Sequence, residues 1–265
     1  KKYPIQKAQL IIADVPFALG NKAYGSSPLW YNNGDNSNGE SKLAGKAFFP
    51  SDMSFNLFEY FHFCNQLLKK EPKKSNGRGL SSDAPCMVLF CSFEQIPTLI
   101  QAAEKHGFVN HIPLVFIKNY SGQVLKANMR IVGATEYGIV LYRDRLPKFR
   151  NDGKMIFNWM KWEKDRPEIP KCHPTQKVQS VLRRLIEVFT DPGDVVIDPV
   201  AGSGSTLRAA RDLGRNSYGF EIYKPFYQKA INEMLNENYS EYAMRQADKE
   251  TGQINIFDIG GVTDD

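Results

Sequence analysis

The chain has 265 residues, of which 42% are hydrophobic and 12% aromatic, so it can bury a core of its own as one α/β domain. No apolar run reaches membrane-spanning length and no signal-peptide pattern is visible, which favours a cytoplasmic protein with no membrane partner. The four cysteines form no CxxC pair, so we expect reduced thiols and no metal site.

The net charge of +5 is unevenly distributed along the chain. Residues 143–184 contain twelve Lys/Arg against five Asp/Glu, whereas residues 236–265 contain two against seven and form an acidic tail. A basic segment in an otherwise balanced domain suits a polyanionic partner such as DNA, because each neutralised phosphate releases a counterion. A solvated basic surface is the alternative, and charge alone does not decide between the two.

Apolar runs and turn signals predict strands that alternate with helices. Strands are expected at residues 8–13, 86–91, 111–118, 137–142, 195–198 and 217–221, and helices at about 51–70, 94–105, 178–190, 205–213 and 225–235. Ser51 or Ser54 is expected to cap the first helix, with an inward face formed by Phe55, Phe58, Phe61 and Leu68. Residues 18–51 are rich in Gly, Asn and Ser and are predicted to form a mobile surface loop. The alternation predicts an α/β fold with a doubly wound, mainly parallel sheet.

The segment 195–206 (VVIDPVAGSGST) carries the strongest local pattern: a buried strand ends in Asp198, small residues follow, and a helix begins. Ligands of open α/β sheets bind at such strand ends. No Lys follows Gly204, which argues against a phosphate-binding P-loop, and Leu207 occupies the third glycine position of a dinucleotide fingerprint. An adenosyl ligand without phosphates fits best, with Glu221 accepting hydrogen bonds from the ribose hydroxyls. A purely structural turn is the alternative.

Four motifs resemble those of the β-type DNA amino-methyltransferases. Residues 198–206 (DPVAGSGST) are similar to the family's DPFxGSGTT cofactor motif, and residues 173–178 (HPTQKV) to its HPTQKP motif. Residues 219–222 (GFEI) match the acid-ended strand beyond, and residues 14–17 (DVPF) match the catalytic (D/N/S)PP(Y/F/W) motif. The catalytic motif comes first and the cofactor motif last, and the match spans most of residues 8–235. The resemblance implies a class I, Rossmann-like methyltransferase that uses S-adenosylmethionine, as part of a restriction-modification system or a phage, in the cytoplasm of a bacterial or phage-infected cell.

The resemblance also assigns roles to individual positions. Cofactor binding falls to His173, Thr175, Gln176, Lys177, Asp198, Pro199, Ala201, Gly202, Ser203, Gly204, Ser205, Thr206, Phe220, Glu221 and Ile222. Catalysis falls to Asp14, Val15, Pro16 and Phe17. Asp14 and the Val15 carbonyl would accept the two hydrogens of an exocyclic amine and aim its nitrogen at the cofactor methyl, while Phe17 would stack on a flipped base. Val15 replaces the family's usual proline, which is expected to loosen the loop and reduce activity.

The target base is interpreted from the first position of the catalytic motif. Asp14 favours adenine N6, whereas serine there would favour cytosine N4. An N4-cytosine or RNA amino-methyltransferase of the same fold is an alternative, as is a DNA- and cofactor-binding protein with little catalysis. A cytosine-C5 enzyme would need a nucleophilic cysteine after a proline. The dipeptide Pro85–Cys86 opens an apolar strand, and we interpret Cys86 as a core residue.

The expected division of the chain is a catalytic half at 1–146, a short target-recognition insert at 147–172, a cofactor-binding half at 173–236 and the acidic tail at 237–265. Phosphate contacts are predicted for basic residues of the insert and of the 18–51 loop, namely Lys22, Arg150, Lys154, Lys161, Lys164 and Arg166. Trp159 and Trp162 either stack on bases or anchor the insert to the core. So small an insert predicts a short or relaxed recognition site, and the 18–51 loop is expected to close over cofactor and base.

The acidic tail contains residues 253–257 (QINIF), which resemble the short peptide that docks on bacterial sliding clamps. A strand at the sheet edge is the alternative interpretation of Gln253 to Phe257. Nothing in the sequence predicts the oligomeric state.

Overall fold

The computed structural model describes residues 4–16, 55–73, 83–120, 123–126, 131–173 and 175–236, with only the backbone described at 123–126 and 131–132. The strands in these ranges are β1 (Leu10–Asp14), β2 (Cys86–Cys91), β3 (Asn110–Lys118), β4 (Gln123–Lys126), β5 (Ile131–Gly133), β6 (Thr135–Tyr142), β7 (Trp159–Trp162), β8 (Val195–Asp198) and β9 (Asn216–Gly219). The α-helices are α1 (Leu57–Leu67), α2 (Ile96–Glu104), α3 (Gln179–Phe189), α4 (Ser205–Asp212) and α5 (Lys224–Lys229), and a π-helical turn (Ala230–Met234) follows α5. No helix within these ranges combines the length and the apolarity needed to cross a membrane.

Seven strands form one sheet in the order β7-β3-β6-β2-β1-β8-β9, and β4 and β5 form a separate hairpin. Strand β6 is antiparallel to both of its neighbours, β2 and β3, while the remaining pairs of the large sheet are parallel. Six strands therefore run in one direction and β6 runs against them. The predicted mainly parallel sheet is confirmed.

The sheet has a hydrophobic core on each face, as strand β1 illustrates. Ile11 and Ala13 pack with α1 and α2 on one face, and Leu10 and Ile12 pack with α3 and α4 on the other. Successive side chains of a strand point to opposite faces, so a strand covered on both sides must be apolar throughout. Burial of each large side chain stabilises the fold by about 1.5–3 kcal/mol. Helices on both faces confirm the doubly wound arrangement.

Helix α1 begins later than the sequence indicates. Its N-cap is Asn56, whose Oδ1 accepts hydrogen bonds from the backbone N–H groups of Phe58 (3.0 Å) and Glu59 (3.4 Å). Ser51 and Ser54 lie outside the described residues. The inward orientation expected for Phe58 is wrong: its side chain is 48% exposed, with the Lys105 ammonium 4.7 Å from the ring centroid.

Two parts of the fold are absent from the sequence prediction. The hairpin β4–β5 occupies what is predicted as a polar loop, and β7 lies in the segment predicted as an insert and pairs with β3 at the edge of the large sheet. The ends of α2 and α4 are predicted correctly. Gly107 (φ +86°) and Gly214 (φ +73°), which follow these helices, adopt left-handed conformations that favour glycine. Strand β9 ends at Gly219, so Glu221 follows the strand rather than closing it.

The direction of the strands determines which residues meet at each end of the sheet. We call the end where β1, β8 and β9 finish the carboxyl edge, and the end where they start the amino edge. Asp14 and Asp198 are the last residues of β1 and β8 and therefore lie at the carboxyl edge. Because β6 is reversed, its first residues, among them Glu136, lie at this edge too. Ligand sites of open α/β sheets occur at this edge.

Candidate active site

The glycine-rich turn after β8 is held by backbone hydrogen bonds to the segment after β9. The Ala201 N–H donates to the Phe220 carbonyl (2.8 Å), and the Gly202 N–H donates to Glu221 Oε2 (2.9 Å). Gly202 and Gly204 have φ values of +48° and +77°, a region where a side chain is strained, so glycine is required at both positions. The turn ends at Gly204, the N-cap of α4.

A second close approach occurs at Gly219, the last residue of β9. A Cβ there would lie 2.8 Å from Leu207 Cδ1 and 2.9 Å from Ala201 Cβ, which is closer than side-chain atoms pack. The absence of a side chain lets β9 lie directly against the turn. The turn contains no lysine to contact phosphates, so it is better suited to a ligand that consists of a sugar and an amino acid.

Asp198 is buried at the base of this turn. The Val200 N–H donates to its Oδ1 (3.1 Å), and only 5% of the residue is exposed. The pKa of Asp198 is raised to about 7, mainly by burial. The nearby carboxylates Asp14 and Glu221 also raise it, whereas hydrogen bonds from Thr206 and Val200 lower it. Three acids gathered at one place favour a positively charged ligand, which relieves their mutual repulsion.

The other side of the site is formed by His173, Thr175, Gln176 and Lys177. The ring of His173 packs edge-to-face on Phe226 (centroids 4.3 Å apart) and its Nδ1 accepts from the Thr175 N–H (3.2 Å). Burial lowers the pKa of His173 to about 4, and the positive charge of Lys177 lowers it further, so the imidazole is neutral at physiological pH. The side-chain amide of Gln176 accepts a hydrogen bond from the Cys172 N–H (2.9 Å) and donates one to the Pro170 carbonyl (3.0 Å).

The predicted catalytic motif begins at the end of β1 and is anchored on both sides. Val15 is 1% exposed within the core, and the Pro16 carbonyl accepts a hydrogen bond from Gln95 Nε2 (2.8 Å). Gln95 Oε1 in turn accepts from the Ser92 N–H (3.1 Å). Sequence reasoning missed Gln95, although the S-x-x-Q pattern of residues 92–95 is a helix-start signal that could have drawn attention to it. Phe17 lies outside the described residues.

Lys177 is buried beside Asp14. Its Nζ lies 2.6 Å from Asp14 Oδ2 and 3.4 Å from Glu136 Oε2, and 8% of the side chain is exposed. Glu136 also pairs with Lys118. Sequence reasoning missed Glu136 and Lys118, because neither belongs to a motif and only the reversed direction of β6 brings Glu136 to the carboxyl edge.

One pocket joins these elements. It is lined by residues from the predicted catalytic and cofactor groups together with two core residues, namely Ile12, Asp14, Phe90, His173, Thr175, Gln176, Lys177, Asp198, Ala201, Gly202, Ser203, Ser205 and Thr206. The hydroxyls of Ser203 and Ser205 lie 2.5 Å apart. Pro199, Phe220 and Glu221 flank the same turn, and Ile222 beyond it is 87% exposed. The structure therefore brings Asp14 and the glycine-rich turn to one site.

The predicted DNA-contacting residues do not all lie near this pocket. Lys161, Lys164 and Arg166 are exposed and lie on β7 or just after its carboxyl end. Lys22 lies outside the described residues. Trp162 is 3% exposed and anchors β7 in the core, whereas Trp159 is 40% exposed, so stacking on bases stays a prediction for Trp159 alone.

Arg150 lies at the amino edge, away from the pocket. Its guanidinium donates to both carboxylate oxygens of Asp191 (2.8 and 2.9 Å) and lies 3.1 Å from Asp83. The turn before β8 supplies Asp191, and this partnership removes Arg150 from the predicted DNA surface. Lys154 lies beside Asn151 in the loop before β7 and is also separated from the pocket. Residues 253–257, the predicted clamp-binding peptide, lie outside the described residues.

Cys86, the cysteine that a cytosine-C5 mechanism would need, lies at the amino edge as the first residue of β2. It is 1% exposed, and burial raises the pKa of its thiol. A buried, protonated thiol at the far end of the sheet cannot serve as a nucleophile in this pocket.

Comparison with known proteins agrees with this geometry. The sequence profile of the DNA methylases of the N6/N4 type matches residues 8–233. The chain is 25% identical over 271 residues to the DNA adenine methyltransferase YhdJ of Escherichia coli (strain K12), with 96% of this chain and 86% of YhdJ covered. The crystal structure of the M1.HpyAVI–SAM complex superposes with a TM-score of 0.60 at 25% identity, covering 87% of this chain and 90% of that one. The cytosine-N4-specific PvuII DNA methyltransferase shares the fold, with a TM-score of 0.57 at 15% identity over 95% and 88% of the chains.

The chain belongs to the N6/N4 family of DNA methyltransferases. It has the class I, Rossmann-like fold of that family, and its cofactor is S-adenosylmethionine.

Proposed function

We propose that the protein methylates the N6 amine of adenine in DNA, using Asp14 to orient the amine and the glycine-rich turn to hold the cofactor. The observation that carries the proposal is the position of Asp14, which lines the same pocket as Asp198, Gly202 and His173. The aspartate at the first position of the catalytic motif and the relationship to YhdJ support adenine over cytosine.

The residues around the turn fit the cofactor. S-adenosylmethionine supplies the methyl group from a positively charged sulfonium when bound. Asp198 and Glu221 present carboxylates toward this charge, and Glu221 accepts from the ribose hydroxyls in our proposal. Glu221 already accepts from the Gly202 and Tyr223 N–H groups (2.9 and 2.6 Å), and a carboxylate has about four acceptor sites, so both sets of bonds can coexist. The exposed Ile222 offers an apolar surface for the adenine ring of the cofactor.

The catalytic residues would act on the target amine by position and charge. The lone pair of an exocyclic amine is delocalised into the ring and is a poor nucleophile. Hydrogen bonds from the amine to the Asp14 carboxylate and the Val15 carbonyl would favour a pyramidal nitrogen whose lone pair points at the methyl donor. As the new N–C bond forms, the bond between the methyl group and the sulfonium sulfur would break with its electron pair left on sulfur. The amine then loses one proton, which Asp14 is placed to accept.

The depth of the pocket requires the target base to leave the double helix. An amine inside a duplex is paired and cannot reach Asp14, so we infer that the base is flipped out. Exposed basic side chains after β7, among them Lys164 and Arg166, would contact the phosphates. Phe157 (74% exposed) stacks on Trp159 with centroids 5.7 Å apart and offers an exposed aromatic surface at the start of β7.

A methyl-transfer assay tests the proposal. Radiolabelled S-adenosylmethionine and random-sequence DNA are incubated with the native chain, with Asp14→Ala and with Asp144→Ala, an exposed carboxylate at the amino end of the sheet. We expect Asp14→Ala to lower incorporation at least about a hundredfold, as for removal of a catalytic hydrogen-bonding group, and Asp144→Ala to leave it unchanged. Digestion of the product to nucleosides identifies the modified base.

Each outcome of this assay has a clear meaning. N6-methyl-2′-deoxyadenosine from the native chain supports the proposal, and N4-methyl-2′-deoxycytidine would replace adenine by cytosine as the target. A parallel incubation with RNA in place of DNA tests the other nucleic acid, and incorporation only into RNA would assign a different substrate. Full incorporation by Asp14→Ala would refute the role of Asp14, and no incorporation by the native chain would favour a protein that binds DNA and cofactor without catalysis.

A further inference from the structure

Asp14 is the first member of a chain of alternating charges that runs along the carboxyl edge. Lys177 bridges Asp14 (2.6 Å) and Glu136 (3.4 Å), and Lys118 pairs with the other carboxylate oxygen of Glu136. The four side chains come from different elements: Asp14 from β1, Lys177 from the segment before α3, and the other two from β6 and β3. We call this set the Lys177 chain.

Lys177 is buried and the other three side chains of the Lys177 chain are partly buried, so each charge depends on its neighbours. Burial alone would lower the pKa of Lys177, but Asp14 and Glu136 raise it above its ordinary value. Burial alone would raise the pKa of Glu136, but Lys177 and Lys118 lower it. The rings of Phe90 and Trp162 lie 5.4 and 5.8 Å from the Lys177 ammonium and separate it from bulk water. Buried charges of this kind are stable only as a paired set.

We propose that Lys177 is a positioning residue for the target amine: it holds the Asp14 carboxylate ionised and in a fixed orientation, with Glu136 and Lys118 holding Lys177 in place. This inference rests on the proposed role of Asp14 and replaces the cofactor contact that the motif resemblance assigns to Lys177. A carboxylate bound by an ammonium keeps further acceptor sites, so the amine can bind Asp14 at the same time.

Removal of the Lys177 charge has a definite chemical consequence. Asp14 and Glu136 would then be two buried carboxylates without the cation between them, and one of them would take up a proton near neutral pH. Protonated Asp14 is a weaker acceptor for the amine hydrogen and can no longer take up the proton that the amine releases. Activity would therefore be lost at neutral pH and partly regained at higher pH, whereas the acids around the glycine-rich turn would still bind the cofactor.

The experiment compares Lys177→Gln with Lys177→Arg, and uses Lys171→Gln as the matched control, since Lys171 is exposed in the same segment. We expect Lys177→Gln to lower kcat about 10²-fold at pH 7, a loss typical of a misplaced catalytic group, and to shift the acidic limb of the kcat–pH profile upward by about one unit or more. Lys177→Arg should restore the position of that limb, because it restores the charge. The dissociation constant of S-adenosylmethionine, measured by calorimetry, should change less than about threefold in both variants, since the inference gives Lys177 no cofactor contact.

Two further variants separate the possible failures. If Asp14→Asn retains kcat, the proposed function fails and the inference fails with it. If Asp14→Asn loses kcat but Lys177→Gln retains it, or if cofactor affinity falls in parallel with kcat, only the role of Lys177 is overturned. If Lys177→Gln does not fold, Glu136→Gln carries the test. The inference then predicts a smaller loss of kcat than in Asp14→Asn with unchanged cofactor affinity, and unchanged kcat overturns it.

Discussion

Asp198 combines its proposed role in cofactor binding with a cost to stability. Its pKa is raised by burial from an ordinary value of 3.8 to about 7. Between these values the folded protein holds a proton that the unfolded chain has released, so the free energy of unfolding decreases as pH rises through this range and stays lower above it. The proposed cofactor brings positive charge to the same place and favours the ionised form.

We therefore predict that Asp198→Asn is more stable than the native protein at pH 8, by about 2–4 kcal/mol, and that the difference disappears near pH 4. The cofactor affinity of the native protein should rise with pH through about 7, and Asp198→Asn should bind weakly at every pH. Thermal unfolding and calorimetry from pH 4 to 8 measure both effects. A variant less stable than the native protein at pH 8 would contradict the prediction.

The site residues that sequence reasoning identified share one property: they stand in contiguous motifs. Asp14, Asp198 and Gly202 are recognisable because a strand end, a tight turn and a helix start impose particular residue types in a fixed order. Glu136 belongs to another element and reaches the site only through the reversed direction of β6. No local pattern encodes such a contact, so the sequence cannot predict it.

At the scale of the elements, β7 shows where local pattern fails. Its four residues (WMKW) are too few to establish a strand signal in the sequence. Pairing with β3 makes it a strand, with Val115 aligned to Trp159 and Lys118 to Trp162. Strands β2 (CMVLFC) and β8 (VVID), which are buried on both faces, are predicted residue for residue because their apolar runs are continuous.

The two tryptophans of β7 should respond differently to substitution. Trp162 packs edge-to-face on Phe90 and Phe116 in the core, so we expect Trp162→Ala to lower the free energy of unfolding by about 3–5 kcal/mol. Trp159 is partly exposed, so Trp159→Ala should cost about 1 kcal/mol or less and weaken DNA binding instead. Urea unfolding and fluorescence anisotropy with labelled DNA distinguish the effects. Equal stability losses with unchanged DNA affinity would refute this division.

At the scale of the whole molecule, the two edges of the sheet have separate tasks. The carboxyl edge holds the candidate active site, and the amino edge holds ion pairs between the turn before β8 and three basic residues. Asp194 pairs there with Lys69 (2.8 Å) and Lys148 (2.6 Å), and Asp191 pairs with Lys148 (2.7 Å) and Arg150 (2.8 Å). These contacts connect α1 and the segment before β7 to the start of β8. They also neutralise part of the positive charge that is concentrated in residues 143–184.

We expect Asp194→Asn to destabilise the protein by about 2–3 kcal/mol at pH 7, because it leaves the buried Lys148 with a weakened partner. Burial would raise the pKa of Asp194, but hydrogen bonds from the Asp191 N–H, Lys148 and Lys69 lower it, so its contribution is present at neutral pH and is lost as pH falls below about 4. The midpoint of thermal unfolding should fall by roughly 5–10 °C at pH 7 and much less at pH 3. Since the site is at the other edge, kcat of the folded enzyme at 20 °C should be unchanged, and a large loss of kcat would contradict the separation.

The reversed strand β6 also determines which substitutions can reach the chemistry. In β1, β2 and β8, residues at or next to the carboxyl end of the strand line the pocket, whereas in β6 the first residues, around Glu136, reach it through Lys177. Tyr142, at the other end of β6, lies at the amino edge beside the start of β3. A mutagenesis library aimed at substrate range should therefore randomise the beginning of β6 and the carboxyl ends of β1, β2 and β8. A library built on strand ends alone would instead randomise the end of β6, where we expect substitutions to change thermal stability and not substrate range.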